Sequence, residues 1–203
     1  MIGYTLGMST AIDQPPPPRV KRWTKDEYYD LVERGVFRRQ RVYLFRGDII
    51  EMSPQYHPHA YAVTELTAAL HEAFGVRAGF RIRIQLPFET PGDSVPEPDG
   101  LVCTDAQSQR HPHPSEAVLV IEVADSSLAE DREKAFEYAA AKVPEYWIID
   151  VNNRRVEVYR NPLSDGTARL GFRYSSTEQL NVAQEIEPLS KPGVKVPVWQ
   201  FFH

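Results

Sequence analysis

Two acids stand where this chain otherwise reads as apolar core. Asp99 opens the segment Asp99 to Cys103, and Glu122 interrupts AVLVIEV, residues 117 to 123, which is apolar at every other position. A carboxylate buried without compensation costs several kcal/mol or takes up a proton. A divalent cation offsets that cost, because Mg²⁺ prefers oxygen ligands, commonly one or two carboxylates completed by water and a substrate phosphate. In a purely structural account Asp99 caps a turn and Glu122 pairs with Arg81 or Arg83. Lys134 follows on a segment of helical character, with Asp131 three residues before it and Tyr138 four residues after, so the three share a helix face. A cation there could hold an attacking water and offset the charge that builds on a phosphoryl transition state. Its structural counterpart is a solvated lysine in a surface ion pair.

Other chemistries have weaker support. His57 to His59 and His111 to His113 each read His-Pro-His, and in extended chain residues i and i+2 point the same way, so a histidine metal site and plain loop histidines are both open. Ser126 and Ser127 lack a G-x-S-x-G setting, and no phosphate-cradling glycine loop occurs. The lone Cys103 excludes an intrachain disulfide and a cysteine zinc site, which fits a cytoplasmic protein.

The elements that must position the acids follow from periodicity. Thr24 and Glu27 form a capping box that opens a helix through Tyr28, Leu31 and Val32 toward Gly35. Val42 to Phe45 and Ile49 to Met52 flank Arg46-Gly47-Asp48 as a β-hairpin. Apolar residues from His59 to Phe74 recur at helical spacing until Gly75. Phe80, Ile82, Ile84 and Leu86 alternate with Arg81, Arg83 and Gln85 as a half-buried strand, and Asp99 to Cys103 is the next. The apolar run around Glu122 suits a central strand covered on both faces. A helix over Asp131 to Ala141, a strand Tyr146 to Ile149 and a hairpin partner Val156 to Tyr159 come after it, with a mixed tail from Ser164. The order helix, strand, strand, strand, helix, strand is an α/β layout.

With 203 residues, 42% hydrophobic and 25% charged, the chain falls among globular proteins and has no apolar run long enough for a membrane span. The run Pro15 to Pro18 marks residues 1–22 as a mobile arm, with one domain over 23–203 and Met8 as an alternative start. The net charge of −5 has the wrong sign for coating nucleic acid by bulk electrostatics.

Pro98-Asp99, Ile121-Glu122-Val123, Asp125-Ser126-Ser127, Asp131-Arg132, Lys134 with Tyr138-Ala139, and VPEYWIID at residues 143 to 150 together resemble the Uma family of putative restriction endonucleases, of the PD-(D/E)XK nuclease superfamily. The resemblance runs from about Trp23 to Phe201 and includes DIIEMSP at residues 48 to 54, followed by His59. It implies a restriction-endonuclease-like αβββαβ core with a mixed central sheet, plus an N-terminal helix and β-hairpin. It implies Asp99 and Glu122 as ligands of Mg²⁺ or Mn²⁺, and DNA as substrate. Ala124 stands where the superfamily's usual lysine would be, so the chain is similar to variants in which a lysine from the next helix, here Lys134, reaches the same spot. This chain has one residue fewer than the family between the Asp-Arg pair and that lysine, and Lys142 replaces a glycine. A one-residue change rotates a helix position by about 100°, so the helix must begin later or Lys134 must point elsewhere. His59 would line the pocket or bind phosphate at its helix N-terminus, Arg81 and Arg83 would supply a local basic patch, and Glu97 is an outlying further ligand.

The expected function is a Mg²⁺- or Mn²⁺-dependent DNA endonuclease with Asp99, Glu122 and Lys134 in its site, in a homo-oligomer; a structural homo-oligomer built through the aromatic C-terminus is a separate possibility. The alternatives are an inactive binding or assembly module of the same fold, and a phosphoesterase acting on a small nucleotide.

Overall fold

Thr24 opens the first helix as its spacing predicts: its hydroxyl accepts from Glu27 N (3.2 Å) while the Glu27 carboxylate accepts from Thr24 N (2.9 Å). This closed capping box opens helix α1, Lys25–Glu33. The structure, a computed structural model, describes residues 19–75, 79–108 and 113–202. Most of the predicted N-terminal arm lies outside the described residues. Its last residue, Arg22, is ion-paired to Asp48, and Trp23, which opens the domain, donates from N to Gly47 O at 2.8 Å.

Strands β1 (Val42–Phe45) and β2 (Asp48–Glu51) form the expected hairpin. Its turn is only Arg46-Gly47, both at positive φ (53° and 78°), the conformation that matches the twist of a tight hairpin. Arg46 then reaches Glu137 at 2.7 Å and pins the hairpin to a helix 91 residues away.

The core follows in the order α2 (His57–Phe74), β3 (Phe80–Arg83), β4 (Gly100–Thr104), a short α3 (Asp105–Ser108), β5 (Leu119–Ala124), α4 (Leu128–Ala140) and β6 (Glu145–Asp150). Strands β7 (Arg155–Ser164) and β8 (Phe172–Asn181) extend the same sheet, whose spatial order is β3-β4-β5-β6-β7-β8. Only β5 and β6 run parallel, and α4 is their crossover. Setting α3 aside, the αβββαβ core and mixed sheet are those expected.

The two helices lie on opposite faces, which explains the apolar run of β5. Leu119, Ile121 and Val123 join Leu66, Leu70 and Phe74 of α2, whereas Val120 and Ala124 join Ala135, Tyr138 and Ala139 of α4. Glu122, alternating with Ile121 and Val123, belongs to the α4 face. Gly100 lets α2 approach β4: a Cβ there would come within 3.1 Å of Leu66 and 3.2 Å of Ile121.

Several elements differ from the sequence reading, and β7 runs on to Ser164, five residues past the predicted Tyr159. Strand β3 stops at Arg83 because Gln85 takes a left-handed backbone (φ 52°) before Leu86-Pro87. Helix α4 begins at Leu128, three residues before the predicted Asp131, directly after the turn that leaves β5. The tail contains the long edge strand β8, whose residues are mostly exposed and show no alternating apolar signal. Small strands β9 (Glu185–Ile186) and β10 (Val196–Pro197) precede a 3₁₀ turn, Val198–Phe201. Of the aromatic C-terminus, Phe201 and Phe202 are buried in the α2 core, while Trp199 is exposed.

Candidate active site

Strand register brings the two predicted acids together. Gly100 pairs with Ile121 at the end of the antiparallel β4–β5 ladder, and one further step along that register sets Asp99 across from Glu122. Facing residues of an antiparallel pair project to the same side. Asp99 is fixed there by three donors: Val123 N (2.8 Å) and His59 Nε2 (3.2 Å) at Oδ2, and Gln85 Nε2 (3.0 Å) at Oδ1.

Glu122 takes its partners from the crossover helix. Lys134 Nζ lies 3.2 Å from Glu122 Oε1 and 2.9 Å from Asp131 Oδ1, and the Tyr138 hydroxyl donates to Glu122 Oε1 at 2.7 Å. The one-residue spacing change therefore neither delays the helix nor turns the lysine away. Because α4 starts early, Lys134 lies about two turns into it, directly over the end of β5. The alternative pairing of Glu122 with Arg81 or Arg83 does not occur.

Electrostatics follow from this burial. Desolvation raises the Glu122 pKa, and the Lys134 charge opposes the rise without cancelling it. Burial works against charge on Lys134, but the charges of Glu122 and Asp131 outweigh it and hold the amine well above its ordinary range. Asp99 is also disfavoured as an anion by burial, yet the His59, Gln85 and Val123 bonds bring it below its usual value. His59 is correspondingly raised: burial lowers it, and the bond to Asp99 more than compensates.

These groups open into a cavity of about 450 Å³ walled by the β1–β2 hairpin, the start of α2, the Glu97–Asp99 segment and the first turns of α4. Tyr43 closes one side, donating to Glu130 Oε1 at 2.6 Å with Lys134 Nζ 5.8 Å from its ring centroid. Seven carboxylates line the cavity (Glu51, Glu97, Asp99, Glu122, Asp125, Glu130 and Asp131) against one lysine. Such a basin attracts cations and repels a bare phosphate.

The remaining predicted residues are distributed as follows. His59, in the first turn of α2, lines the cavity. Its neighbour His57 is helical as well, so the extended i,i+2 geometry of the first His-Pro-His triplet does not arise, and in the second triplet His111 and Pro112 lie outside the described residues. Arg81 pairs with Asp105 at 2.7 Å, Arg83 Nη2 donates to Pro87 O at 3.4 Å, and neither lines the cavity. Glu97 lines it but is held by Arg41 at 2.9 Å. Gln85 was hidden from sequence reasoning because it reads as the polar member of an alternating strand, and only its positive φ delivers it to Asp99.

The sequence profile described as "Putative restriction endonuclease", Uma2, matches residues 26–197. The chain belongs to the Uma2 family of putative restriction endonucleases. A crystal structure of a putative nuclease of DUF820 from Anabaena variabilis is similar over 88% of this chain and 96% of that one, with TM-score 0.70 and 16% identity. The Uma2 chain thus has a restriction-endonuclease-like nuclease fold. The type IIG restriction endonuclease BpuSI also aligns, over 59% of this chain and 14% of that one, with TM-score 0.36 and 14% identity. A search of curated proteins gives no match. Restriction-endonuclease-like proteins are generally metal-dependent, and the Uma2 donor set fits a hard divalent ion. Glu122 is a buried carboxylate that Lys134 leaves partly uncompensated, and the buried His59 Nδ1 has no hydrogen-bond partner in the structure. Among the described residues no cluster of three or more His, Cys, Asp or Glu side chains forms a ready cage. That suits an ion held by two carboxylates and completed by water and phosphate.

Proposed function

We propose that the protein is a DNA endonuclease that hydrolyses phosphodiester bonds with Mg²⁺ or Mn²⁺ held by Asp99 and Glu122. The observation that carries this reading is Lys134 on Glu122 at 3.2 Å, which supports a complete site despite Ala124. Bound there, the ion would polarise the phosphate and activate water. Lys134 orients the attacking water or balances charge on the transition state, from a position already fixed by Asp131. Tyr138 holds the Glu122 carboxylate in place, while His59 and Gln85 do the same for Asp99. His59, which donates to Asp99 and lines the cavity, would contact a phosphate oxygen once the strand is bound.

The acidic cavity favours a metal-assisted reaction, since its seven carboxylates repel a phosphate that no cation accompanies. Among the described residues no helix is long and apolar enough to cross a membrane. A reducing, Mg²⁺-rich cytoplasm suits the free, buried Cys103. Trp199, 62% exposed, supports self-association through the C-terminal edge.

Plasmid cutting tests the proposal. The purified protein should nick or linearise DNA with Mg²⁺ or Mn²⁺, and chelator or Glu122→Ala should abolish cutting. Undiminished cutting by Glu122→Ala would remove Glu122 from the mechanism.

A further inference from the structure

A second cleft, of about 300 Å³, lies beside the acidic cavity and shares Glu97 with it. Its walls include Tyr28, Tyr29, Phe37, Arg38 and Arg41 from α1 and the chain that follows, faced by Pro87 and by His113, whose ring lies 6.1 Å from that of Tyr29. The volume is at the lower end of those that take a small organic ligand. Glu97 lines both, two residues before Asp99, so the cleft adjoins the cavity that holds the two acids.

The rings form a fixed platform. The Tyr28 hydroxyl donates to Val42 O and that of Tyr29 to Glu89 Oε1, both at 2.9 Å. Tyr28 and Tyr29 have centroids 5.6 Å apart, and Phe37 stacks on Tyr28 at 6.4 Å and 26°. With both hydroxyls anchored, the ring planes are set before any ligand arrives. Tyr28 is buried, whereas Tyr29 and Phe37 keep part of their surface open.

Charge favours a nucleic-acid occupant. Against the overall net charge of −5, residues 34 to 41 carry four arginines (Arg34, Arg38, Arg39 and Arg41). Arg34 pairs with Asp30 and Arg41 with Glu97, but Arg38, which lines the cleft, has no acidic partner among the described residues. Arg38 lies over the bare Cα of Gly35, where a Cβ would come within 2.2 Å of its Nε, so the guanidinium is positioned by the glycine.

From these observations we propose that the cleft binds an unstacked nucleobase of single-stranded DNA, with Arg38 on the adjoining phosphate. The inference rests on the nuclease reading for its connection to Asp99, but its physics is separate. Stacking on aromatic rings does not depend on net charge and suits single strands. Duplex binding relies on many phosphate contacts, which an acidic chain with few unpaired arginines supplies poorly.

The test uses the full chain in chelator, so that nothing is cut, and fluorescence anisotropy of a labelled single-stranded oligonucleotide of about a dozen nucleotides, within the usual site size. The same sequence as duplex is the second probe. The single strand should bind more tightly than the duplex, and Phe37→Ala and Arg38→Glu should each weaken it roughly tenfold. Leu189→Ala, at an exposed residue that lines neither cleft, should bind as the parent does. Arg38 is exposed, so its variant reports binding even if Phe37→Ala loosens α1. Equal affinity for duplex and single strand, or parental binding by Arg38→Glu, would overturn the inference. Duplex cutting without single-strand binding would leave the nuclease reading standing and remove this one. Phe37- and Arg38-dependent binding by a protein that cuts nothing would do the reverse.

Discussion

Lys134 of α4 stands 3.2 Å from Glu122 of β5, in a position twelve residues further along the chain and on a different element. The position two residues after Glu122 could not hold this charge. Ala124 lies on the same face of β5, is 1% exposed and packs with Ala135, Tyr138 and Ala139, so α4 covers it. A long cationic side chain at that point would force the helix away.

Lys134→Met should lower the cleavage rate by about 100-fold or more, the usual cost of removing one transition-state charge partner. Adding Ala124→Lys to that variant should not restore activity and should lower Tm, because the introduced side chain overfills the α4 contact. Single-turnover cleavage and thermal melts of the single and double variants check both statements.

Chelation should stop cutting without unfolding the protein. Lys134, raised well above the ordinary lysine range by Glu122 and Asp131, stays protonated at neutral pH and supplies the counter-charge that keeps the metal-free site intact. A Tm that falls by less than about 3 °C on chelation, equivalent to roughly 1 kcal/mol for a chain of this size, is expected. A fall many times larger would assign the ion a structural role.

Tyr138→Phe removes one donor from Glu122 Oε1 and leaves Lys134 there. The expected result is a modest loss of stability, about 1 kcal/mol, with the Mg²⁺ midpoint for cleavage moved upward by roughly tenfold. Saturating metal should recover most of the rate, whereas Lys134→Met should not be rescued this way. Metal titrations of both variants separate positioning from direct participation.

Acid stability should depend on Glu157, which lies two strands across the sheet from Glu122 in the same row. Its carboxylate, 1% exposed, accepts from Arg132 Nε (3.0 Å) and Tyr159 (2.7 Å). Burial raises its pKa, but these bonds outweigh that and lower it overall. A depressed folded-state pKa gives stability that is present above the unfolded value of roughly 4.3 and is lost as pH falls through the folded one. Glu157→Gln should therefore lower Tm at pH 7 and flatten its decline in acid. Parallel curves for parent and variant below pH 5 would count against this assignment.

The core order and the acids were legible in the sequence because each left a strong local mark. Capping at Thr24, helical spacing to Gly75 and a carboxylate within an apolar run are readable without tertiary knowledge. Gln85 was not, since the left-handed backbone that delivers its amide to Asp99 leaves no mark in the alternating pattern. The start of α4 was missed because Leu128-Ala129-Glu130 carries no cap: the Ser127 side chain bonds Asp131 Oδ2 at 2.5 Å rather than a backbone N–H. The edge strand β8 buries only Tyr174 and Leu180, so its pairing with β7 leaves almost no pattern.

The anchoring of α4 also bears on which motions could silence the site. Tyr146 donates to Asp131 O at 2.9 Å, Arg46 holds Glu137, and Arg132 bonds Glu157 on β7. These three fastenings hold the helix to the sheet and to the hairpin. Amide hydrogens of α4 should accordingly exchange as slowly as those of β5, by opening of the whole unit rather than by local fraying. Were they to exchange much faster, Lys134 would leave Glu122 while the sheet stayed closed, and catalytic competence would be lost long before the fold.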